Sequence, residues 1–214
     1  MEKDYFRYYK PKMLLYTIII LSLIYGTILH LTSDYINGFL TKPYIHYPTV
    51  SALIVFTLLS LDKYGIHTKL LKNIFWVKDI SGRYEGTIKY KHFKTGIEEV
   101  KPCFIEIEQS ASKISIQTYF DFKYTQTSEK TISKSIVTSI VTDDDFNNQK
   151  LVFTYQNSGN TLKGLQPSNG TNILSIVKRD NNLFLEGNYY TDKEPQTKGE
   201  MKVKLISKKL KREF

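Results

Sequence analysis

The stretch Met13–Leu31, MLLYTIIILSLIYGTILHL, decides what kind of protein this sequence specifies. Its nineteen residues include no Asp, Glu, Lys or Arg, and the one histidine, His30, lies near the end. A helix rises about 1.5 Å per residue, so the run spans roughly 28 Å, close to the ~30 Å hydrocarbon core of a bilayer. Because a helix satisfies its own backbone hydrogen bonds in lipid, we predict a membrane-spanning helix over about 13–31.

The N-terminal residues 1–12, MEKDYFRYYKPK, interleave basic and aromatic side chains. Basic residues before a span hold that end in the cytoplasm, and aromatic rings settle at the level of the headgroups. A secretory signal peptide also begins with positive charge and an apolar core. However, Leu31-Thr-Ser-Asp offers no small-x-small cleavage site, and a second apolar segment follows. We therefore expect a cytoplasmic N-terminal segment.

A second apolar segment follows a polar connection, Thr32–His46, in which Asn37-Gly38 and Lys42-Pro43 predict a break in the helix. The second span is predicted over about 45–65, with Pro48 in its first turn and tyrosines at both ends as interfacial anchors. A buried core helix is the alternative interpretation. With the first span adjacent, residues 13–66 are predicted to form a transmembrane hairpin.

The flanks of this hairpin set its expected orientation. The connection Thr32–His46 contains one Lys and no Arg, whereas residues 1–12 and the linker 67–79 are both more basic. Positive charge stays on the cytoplasmic side. We therefore predict that both termini are cytoplasmic and that Thr32–His46 lies outside.

From residue 80 the hydrophobic period changes from helical to two, which is typical of half-buried strands. Eight such segments are separated by turn residues, so that 80–214 are predicted to form one all-β domain. An eight-stranded antiparallel up-and-down barrel, lipocalin-like, is favoured because closure removes exposed edges, and a two-sheet sandwich is the alternative. The segments are 82–91, 100–109, 113–124, 131–142, 150–156, 172–178, 183–190 and 198–206.

Residue types that could support catalysis or bind a metal occur without a recognisable pattern. The four histidines are scattered and none pairs with the single Cys103, so a zinc site is not expected. Asp143–Asp145 lacks the glycine and distal Glu of a calcium loop and is interpreted as an exposed turn. Gly164–Thr171 superficially suggests a phosphate loop, but its spacing is too long and no Lys follows Gly170. We expect no enzyme, no metal and no cofactor.

The apolar strand faces carry polar and aromatic groups that indicate a ligand inside the barrel. In the first strand, Tyr84 and Tyr90 flank a glycine gap at Gly86, and such rings either stack on bases or simply fill the core. Lys101 lies in register with an inward face and would suit a phosphate. The net charge of +9 also suits an anionic ligand or an anionic lipid surface. The predicted ligand-binding residues are Arg83, Tyr84, Tyr90, Lys101, Thr118, Tyr155 and Tyr189.

The architecture resembles a known family. Two N-terminal spans, a basic linker ending in Trp76, and Ser81-Gly-Arg-Tyr-Glu-Gly-Thr87 opening a β-rich domain are similar to the two-transmembrane β-barrel effectors of bacterial cyclic-oligonucleotide antiphage (CBASS) systems. The resemblance implies a barrel that binds a cyclic dinucleotide made by a partner nucleotidyltransferase. It also implies self-assembly, disruption of the inner membrane and abortive infection, with no DNA or RNA partner.

Two other interpretations remain open. One is a membrane-tethered lipocalin-like carrier of an apolar molecule. The net positive charge and the polar groups on the apolar strand faces argue against this interpretation. The other is a non-catalytic membrane scaffold whose barrel recruits another protein. Only the family resemblance favours the effector over the scaffold.

Overall fold

The computed structural model describes residues 5–39, 49–92, 95–122, 129–142, 148–159, 166–193 and 196–212. The chain divides into two compact units. The first comprises Met1–Lys78 together with Ser110–Ser112, and the second comprises Asp79–Gln109 with Lys113–Phe214. Each unit is described separately.

The first unit contains two α-helices in its described residues, α1 over Pro11–Phe39 and α2 over Val50–Tyr64. Pro11 opens α1, where its missing N–H costs nothing. The helix continues through Asn37-Gly38, although the sequence pattern predicts a break there. A Gly costs only about 1 kcal/mol in a helix, and extending a helix that has already formed adds one hydrogen bond per residue. The turn preference of this pair is therefore overridden.

The start of α2 is fixed by a side-chain cap. The hydroxyl of Thr49 accepts a hydrogen bond from the backbone N–H of Ala52 at 3.2 Å, which satisfies one of the unpaired donors of the first turn. The sequence prediction for Pro48 falls outside the described residues. The hydroxyls of Tyr25 and Thr57 share a hydrogen bond of 2.6 Å, so one polar contact joins α1 to α2.

Both helices expose large apolar side chains, among them Leu23 and Phe56. Apolar surface left in water is unfavourable by about 25 cal/mol per Å². The segments Pro11–Thr32 and Val50–His67 are long and apolar enough to cross a membrane. Their composition and exposure therefore favour insertion into a bilayer.

The N-terminal segment pairs with the chain that follows α2. Tyr9 forms an antiparallel bridge with Phe75, and their rings are 4.8 Å apart. The N–H of Lys10 donates to the carbonyl of Ile74 at 2.8 Å, and Trp76 donates to Tyr8 at 3.1 Å. The sequence contains no periodic signal for this pairing, because its partners are more than sixty residues apart.

Asp62, near the end of α2, is held by the turn Ser110–Ser112, which belongs to the same unit. Its carboxylate accepts hydrogen bonds from the hydroxyls of Ser110 and Ser112, and its carbonyl accepts from Ala111 N at 2.8 Å. An anionic side chain is unfavourable at a helix C-terminus, where the dipole is negative. These donors offset that penalty.

The second unit is an antiparallel barrel, and its described residues contain eight strands. The order is consecutive, and the barrel closes because β1 pairs with β8, with Tyr84 opposite Leu205 and Tyr90 opposite Gly199. The predicted up-and-down barrel is confirmed, and closure excludes the sandwich. The strands are β1 Gly82–Lys91, β2 Glu98–Gln109, β3 Ile114–Phe122, β4 Glu129–Thr142, β5 Gln149–Asn157, β6 Ser168–Arg179, β7 Asn182–Thr191 and β8 Lys198–Ser207.

The interior of the barrel differs between its two ends. We call the end where β1 begins the apolar end, and the end where β1, β3, β5 and β7 finish the polar end. The apolar end is filled by branched side chains with no exposed surface: Ile80, Ile105, Ile107, Leu151, Leu174 and Leu185. Each contributes about 1.5–3 kcal/mol relative to exposure, so this end supplies the hydrophobic core.

Gly86 does not leave the gap for a ligand that the sequence predicts between Tyr84 and Tyr90. A Cβ atom at Gly86 would collide with the carbonyl oxygen of Lys202 and with Val203 Cα on β8. The glycine is needed because the backbone of β8 approaches β1 closely here.

Candidate ligand-binding site

The polar end of the barrel interior is lined by hydroxyl, amide and charged side chains, in contrast to the apolar end. Polar groups are costly to bury, so a closed cluster of them inside a small barrel is typical of a binding site rather than of a core. They come from all the strands except β8: Tyr90, Glu99, Lys101, Thr118, Thr131, Ser133, Tyr155, Asn157, Ser168, Asn172, Tyr189 and Thr191.

Strand register brings these groups together from distant parts of the sequence. Asn172 on β6 lies opposite Phe153 on β5 and opposite Tyr189 on β7. The same cross-strand row continues through Gly199 to Tyr90. Because side chains alternate along a strand, every member of this row points into the barrel.

One side of the polar end carries a charged cluster. The hydroxyl of Tyr90 donates to a carboxylate oxygen of Glu99 at 2.5 Å, and Lys101 Nζ lies 3.2 Å from the same oxygen. Lys101 also lies 5.0 Å from the centre of the Tyr90 ring. The hydrogen bond from Tyr90, assisted by Lys101, lowers the pKa of Glu99, while burial and that carboxylate raise the pKa of Tyr90. At neutral pH the cluster therefore offers a neutral phenol and an ionised carboxylate beside the Lys101 side chain.

Two further tyrosines lie deeper in the polar end. Tyr155 and Tyr189 are each 6 % exposed. Burial raises the pKa of Tyr155 to about 12, and burial followed by the proximity of Tyr155 raises the pKa of Tyr189. Both phenols therefore stay protonated and can donate hydrogen bonds, while their rings offer flat apolar surface.

A hydroxyl and amide network lies on the neighbouring strands. Asn157 Nδ2 donates to Ser133 Oγ at 3.0 Å and to Thr131 Oγ1 at 3.3 Å, which ties β5 to β4. Thr118, which is 3 % exposed, lies opposite Ser133 on the next strand. Of this group the sequence predicts only Thr118. Thr131, Ser133 and Asn157 could have been found from their place on inward-facing positions.

Asn172 is a further interior residue that the sequence reasoning missed. It is 2 % exposed, and its Oδ1 is buried without a hydrogen-bond partner in the described part of the chain. The alternation along β6 could have identified it, because position 172 lies on the same inward face as Leu174 and Ile176 and carries an amide.

Of the seven predicted residues, Tyr90, Lys101, Tyr155 and Tyr189 lie in the polar end. Thr118 lies at its boundary, in the middle of β3 and opposite both Ile105 and Ser133, whereas Tyr84 and Arg83 lie elsewhere. Tyr84 is fully buried at the apolar end, where its hydroxyl donates to the carbonyl of Ile80 at 2.7 Å. Its ring fills the core and is not open for stacking. The inward alternation was correct, but alternation does not tell at which end of a barrel a side chain lies.

Arg83 points to the outside of the barrel, as expected for the residue next to an inward tyrosine. Its guanidinium donates to Glu106 at 2.9 Å and to Glu85 at 3.1 Å, and it lies 4.8 Å from the centre of the Phe104 ring. The backbone N–H groups of Lys211 and Arg212 donate to Glu106 as well. Arg83 is therefore only 2 % exposed although it is on the outer face, and it serves the outer packing of β1 and β2.

No cluster of three or more His, Cys, Asp or Glu that could hold a metal ion occurs among the residues that the structure describes. Asp143–Asp145 lies outside those residues. Burial raises the pKa of the Cys103 thiol to about 12, so this inward side chain stays protonated and acts as a small apolar group.

A comparison with protein-family models finds a match that covers the barrel. The family model described as "Cap15, cyclic dinucleotide receptor domain" matches residues 75–205, which is more than half of the chain. The match begins just before the barrel and ends within β8. A comparison with curated protein sequences finds no match.

Proposed function

This chain belongs to the Cap15 cyclic dinucleotide receptor family, and from that premise we propose that the polar end of its barrel binds a cyclic dinucleotide. The observation that carries the proposal is a contrast inside the barrel. One end is closed by apolar side chains together with Gln109 and Thr138, which form hydrogen bonds with backbone groups of Ile80 and Ile114, and the other is lined by tyrosines, amides and hydroxyls. The family is that of CBASS effectors, as the resemblance implied, and its description is that of a receptor, which is a ligand-binding role.

The residues of the polar end match the parts of such a ligand. Cyclic dinucleotides combine two flat bases with a ring of two sugars and two anionic phosphates. The rings of Tyr90, Tyr155 and Tyr189 can contact the bases, and stacking contributes about 1–3 kcal/mol per base in single-strand systems. Lys101 supplies a positive charge for a phosphate, which would compete with the Glu99 carboxylate 3.2 Å from the Lys101 Nζ. The hydroxyls of Thr118 and Ser133 supply neutral hydrogen bonds.

The effector step is assigned to the helical hairpin. Two helices are too few to enclose an aqueous pore, so damage to a bilayer requires several copies side by side. Ser22 and Gly26 form a small-xxx-small face on α1 that allows close helix approach. Ser22 and Gly26 are half-buried, and beyond its own helix turn an added Cβ at Gly26 would meet no described atom within 4 Å. We propose that ligand binding promotes self-association and disruption of the inner membrane, leading to abortive infection.

The proposal includes a location and a functional partner. Two spans with basic flanks support a multi-pass protein of the inner membrane whose N- and C-termini are cytoplasmic. A cytoplasmic barrel would meet a cyclic dinucleotide released by a nucleotidyltransferase of the same defence system. The lipid bilayer and further copies of the chain are the other partners, and no DNA or RNA partner is proposed.

A carrier of apolar molecules is less well supported. The part of the interior with apolar walls is occupied by its own side chains, including Tyr84 and Leu151, which leave no exposed surface there. The remaining interior is polar, and polar groups desolvated by an apolar cargo would lose hydrogen bonds to water.

Calorimetry on the full-length protein in detergent micelles, with a panel of cyclic dinucleotides, tests the proposal. Tyr189→Ala should weaken binding of the best ligand about tenfold or more, whereas Tyr190→Ala, the adjacent tyrosine on the outer face, should not. Lys101→Ala should weaken binding, whereas Lys89→Ala, in a surface ion pair with Glu98, should not. If no member of the panel binds, or if the inner and outer variants behave alike, the proposed site is wrong.

A further inference from the structure

The side-chain oxygen of Asn172 is buried inside the barrel and has no hydrogen-bond partner. Among the residues that the structure describes, it is the one side-chain oxygen of the barrel interior in this state. The residue is 2 % exposed, and the Oδ1 atom is an acceptor that can bind two donors. Its interior neighbour Asn157 differs, because that amide donates to Ser133 and Thr131 and accepts from Gly159 N at 2.8 Å. An amide that is buried and unused by the fold is rare, because leaving such an atom unpaired is unfavourable.

The neighbours of Asn172 in the cross-strand row are aromatic. On either side in the cross-strand row lie Phe153 and Tyr189. Tyr155 is adjacent on β5 and Gly170 is the preceding inward position on β6. Aromatic walls around a single polar edge are the arrangement in which bases are bound by stacking and are identified by hydrogen bonds.

We infer that Asn172 reads the edge of one base of the bound ligand, a role that rests on the proposed cyclic dinucleotide site. A carboxamide presents an acceptor and a donor next to each other, so it pairs with a base edge that offers a donor beside an acceptor. Oδ1 accepts from a base N–H or amino group, and Nδ2 donates to the neighbouring ring nitrogen or carbonyl. The base therefore enters the barrel edge first, towards the apolar end.

The position of the charges supports the same orientation. Lys101 and Glu99 lie near the start of β2 at the rim of the polar end, where the Lys101 side chain keeps 15 % of its surface exposed. Asn172, in contrast, lies four residues inside the start of β6 and next to the apolar Leu174. A ligand with its phosphates at the rim keeps its anionic groups hydrated and near an ammonium group, while its base is buried.

Replacing the amide by a carboxylate gives a test of base reading rather than of binding alone. A carboxylate offers two acceptors side by side, and this matches the adjacent ring N–H and amino group of guanine. It cannot donate to the acceptor that adenine, cytosine or uracil presents beside its donor. Asn172→Asp should therefore shift the preference of the barrel towards guanine-containing ligands, whereas Asn172→Leu should weaken all ligands that use this edge.

The experiment is titration calorimetry of the full-length protein in micelles with cyclic dinucleotides that differ in one base: adenine, cytosine, guanine or uracil. We expect Asn172→Leu to bind the best wild-type ligand about tenfold or more weakly, with a melting temperature no lower than wild type. Asn188→Leu, an exposed amide on the outer face of β7, is the matched control and should keep wild-type affinity. Asn172→Asp should change the rank order of the ligands in favour of guanine.

The outcomes separate this inference from the function on which it rests. Wild-type binding together with unchanged affinities and rank order in both Asn172 variants overturns the inference and leaves the proposed function standing. Failure of the wild type to bind any ligand overturns both. If Asn172→Leu folds poorly, the result for Asn172→Asp tests the inference instead. The rank order of ligand affinities does not depend on the fraction of protein that is folded.

Discussion

The ring of Tyr155 on β5 lies where a side chain on Gly170 of β6 would otherwise be. A Cβ atom at Gly170 would collide with Cζ and Oη of Tyr155, and it would also press on the carbonyl oxygen of Tyr190. The two residues are paired in the β5–β6 register, so the glycine creates the space in which the tyrosine ring lies flat against the barrel wall. One strand thus positions an aromatic group of the site that another strand supplies.

Gly170→Ala is expected to move the Tyr155 ring and to weaken ligand binding to a similar degree as Tyr155→Leu. The barrel should also lose about 1–3 kcal/mol of stability, because an overpacked site forces side chains and backbone to shift. Calorimetry and thermal unfolding of the same samples measure the two effects. Thr171→Ala, the next residue and outward-facing, is the control and should change neither by much. Unchanged affinity in Gly170→Ala would mean that Tyr155 does not contact the ligand.

Tyr84→Phe separates the role of this tyrosine in the core from a role in the site. The variant loses the hydrogen bond to the Ile80 carbonyl, which leaves a buried acceptor unpaired, so we expect a loss of about 1–3 kcal/mol in the free energy of unfolding. Ligand affinity should stay at the wild-type value, because Tyr84 lies at the apolar end. Urea unfolding and calorimetry provide the two readouts. A large loss of affinity with little change in stability would return Tyr84 to the list of ligand contacts.

Much of the fold could be predicted from the sequence because it depends on local periodicity. The segment predicted over 82–91 is β1, Gly82–Lys91, since apolar and polar residues alternate along its whole length. The segment predicted over 172–178 is shorter than β6, Ser168–Arg179. The missing residues, Ser168–Thr171, are polar or glycine, so the hydrophobic pattern fades there. The same polar residues that make this end a candidate site interrupt the hydrophobic pattern, so this part of β6 could not be predicted from the sequence.

The composition of the site depends on relationships that no single strand reveals. Tyr84 and Tyr90 lie on the same face of β1, yet one is at the apolar end and the other at the polar end. The position of each tyrosine along the barrel axis is set by the pairing of β1 with β2 and β8. Tyr90, for example, lies opposite Glu99 and Gly199. The surroundings of Arg83 on the outer face include Glu106, which also accepts hydrogen bonds from the backbone of the C-terminal residues Lys211 and Arg212. These are long-range contacts, which periodicity does not encode.

The pH dependence of barrel stability should include a contribution from Glu106. Burial alone would raise the pKa of this carboxyl, but hydrogen bonds from Lys211 N, Arg83 and Arg212 N outweigh it and hold the pKa below its usual value. A carboxyl with a lowered pKa in the folded state stabilises that state fully above its unfolded pKa, about 4.3. The contribution is lost as the pH falls through the folded pKa.

Glu106→Gln is therefore expected to lose about 2 kcal/mol of stability at pH 7, since hydrogen bonds to a charged group are replaced by weaker ones. Between pH 5 and pH 3 its stability should fall less steeply than that of the wild type. Denaturant unfolding at a series of pH values measures both quantities. Glu98→Gln, in an exposed ion pair with Lys89, is the control and should follow the wild-type curve closely. Parallel curves for Glu106→Gln and wild type would contradict this assignment.

The proposed orientation predicts which residues a membrane-impermeant thiol reagent can reach. In cells with a permeabilised outer membrane, a cysteine at Gly38 should react, and a cysteine at the exposed Asn188 on the outer face of the barrel should not. Positive charge retains both flanks of the hairpin in the cytoplasm, so the barrel stays behind the inner membrane. Cys103 should stay silent in both variants because it is buried. Labelling at 188 but not at 38 would reverse the topology.

Gly26→Leu tests whether copies of the hairpin associate through the small face of α1. An added Cβ at Gly26 would meet no described atom within 4 Å beyond its own helix turn, so we expect a larger side chain to leave the hairpin and the barrel folded. It should, however, keep a second helix from approaching closely. Cells that produce the ligand should then survive expression of Gly26→Leu, while calorimetry on the purified variant should give wild-type affinity. Ile24→Leu, away from this face on the same helix, should kill as the wild type does.

Crosslinking in membranes with and without ligand completes this test, because assembly can respond to a ligand only if the assembled state binds it more tightly than the monomer does. The wild type should show higher oligomers that increase with ligand, and Gly26→Leu should show fewer at every ligand concentration. If Gly26→Leu remains toxic and crosslinks as the wild type does, the helices assemble through another face. If it binds ligand, crosslinks normally and is still harmless, close helix packing matters for membrane damage and not for assembly.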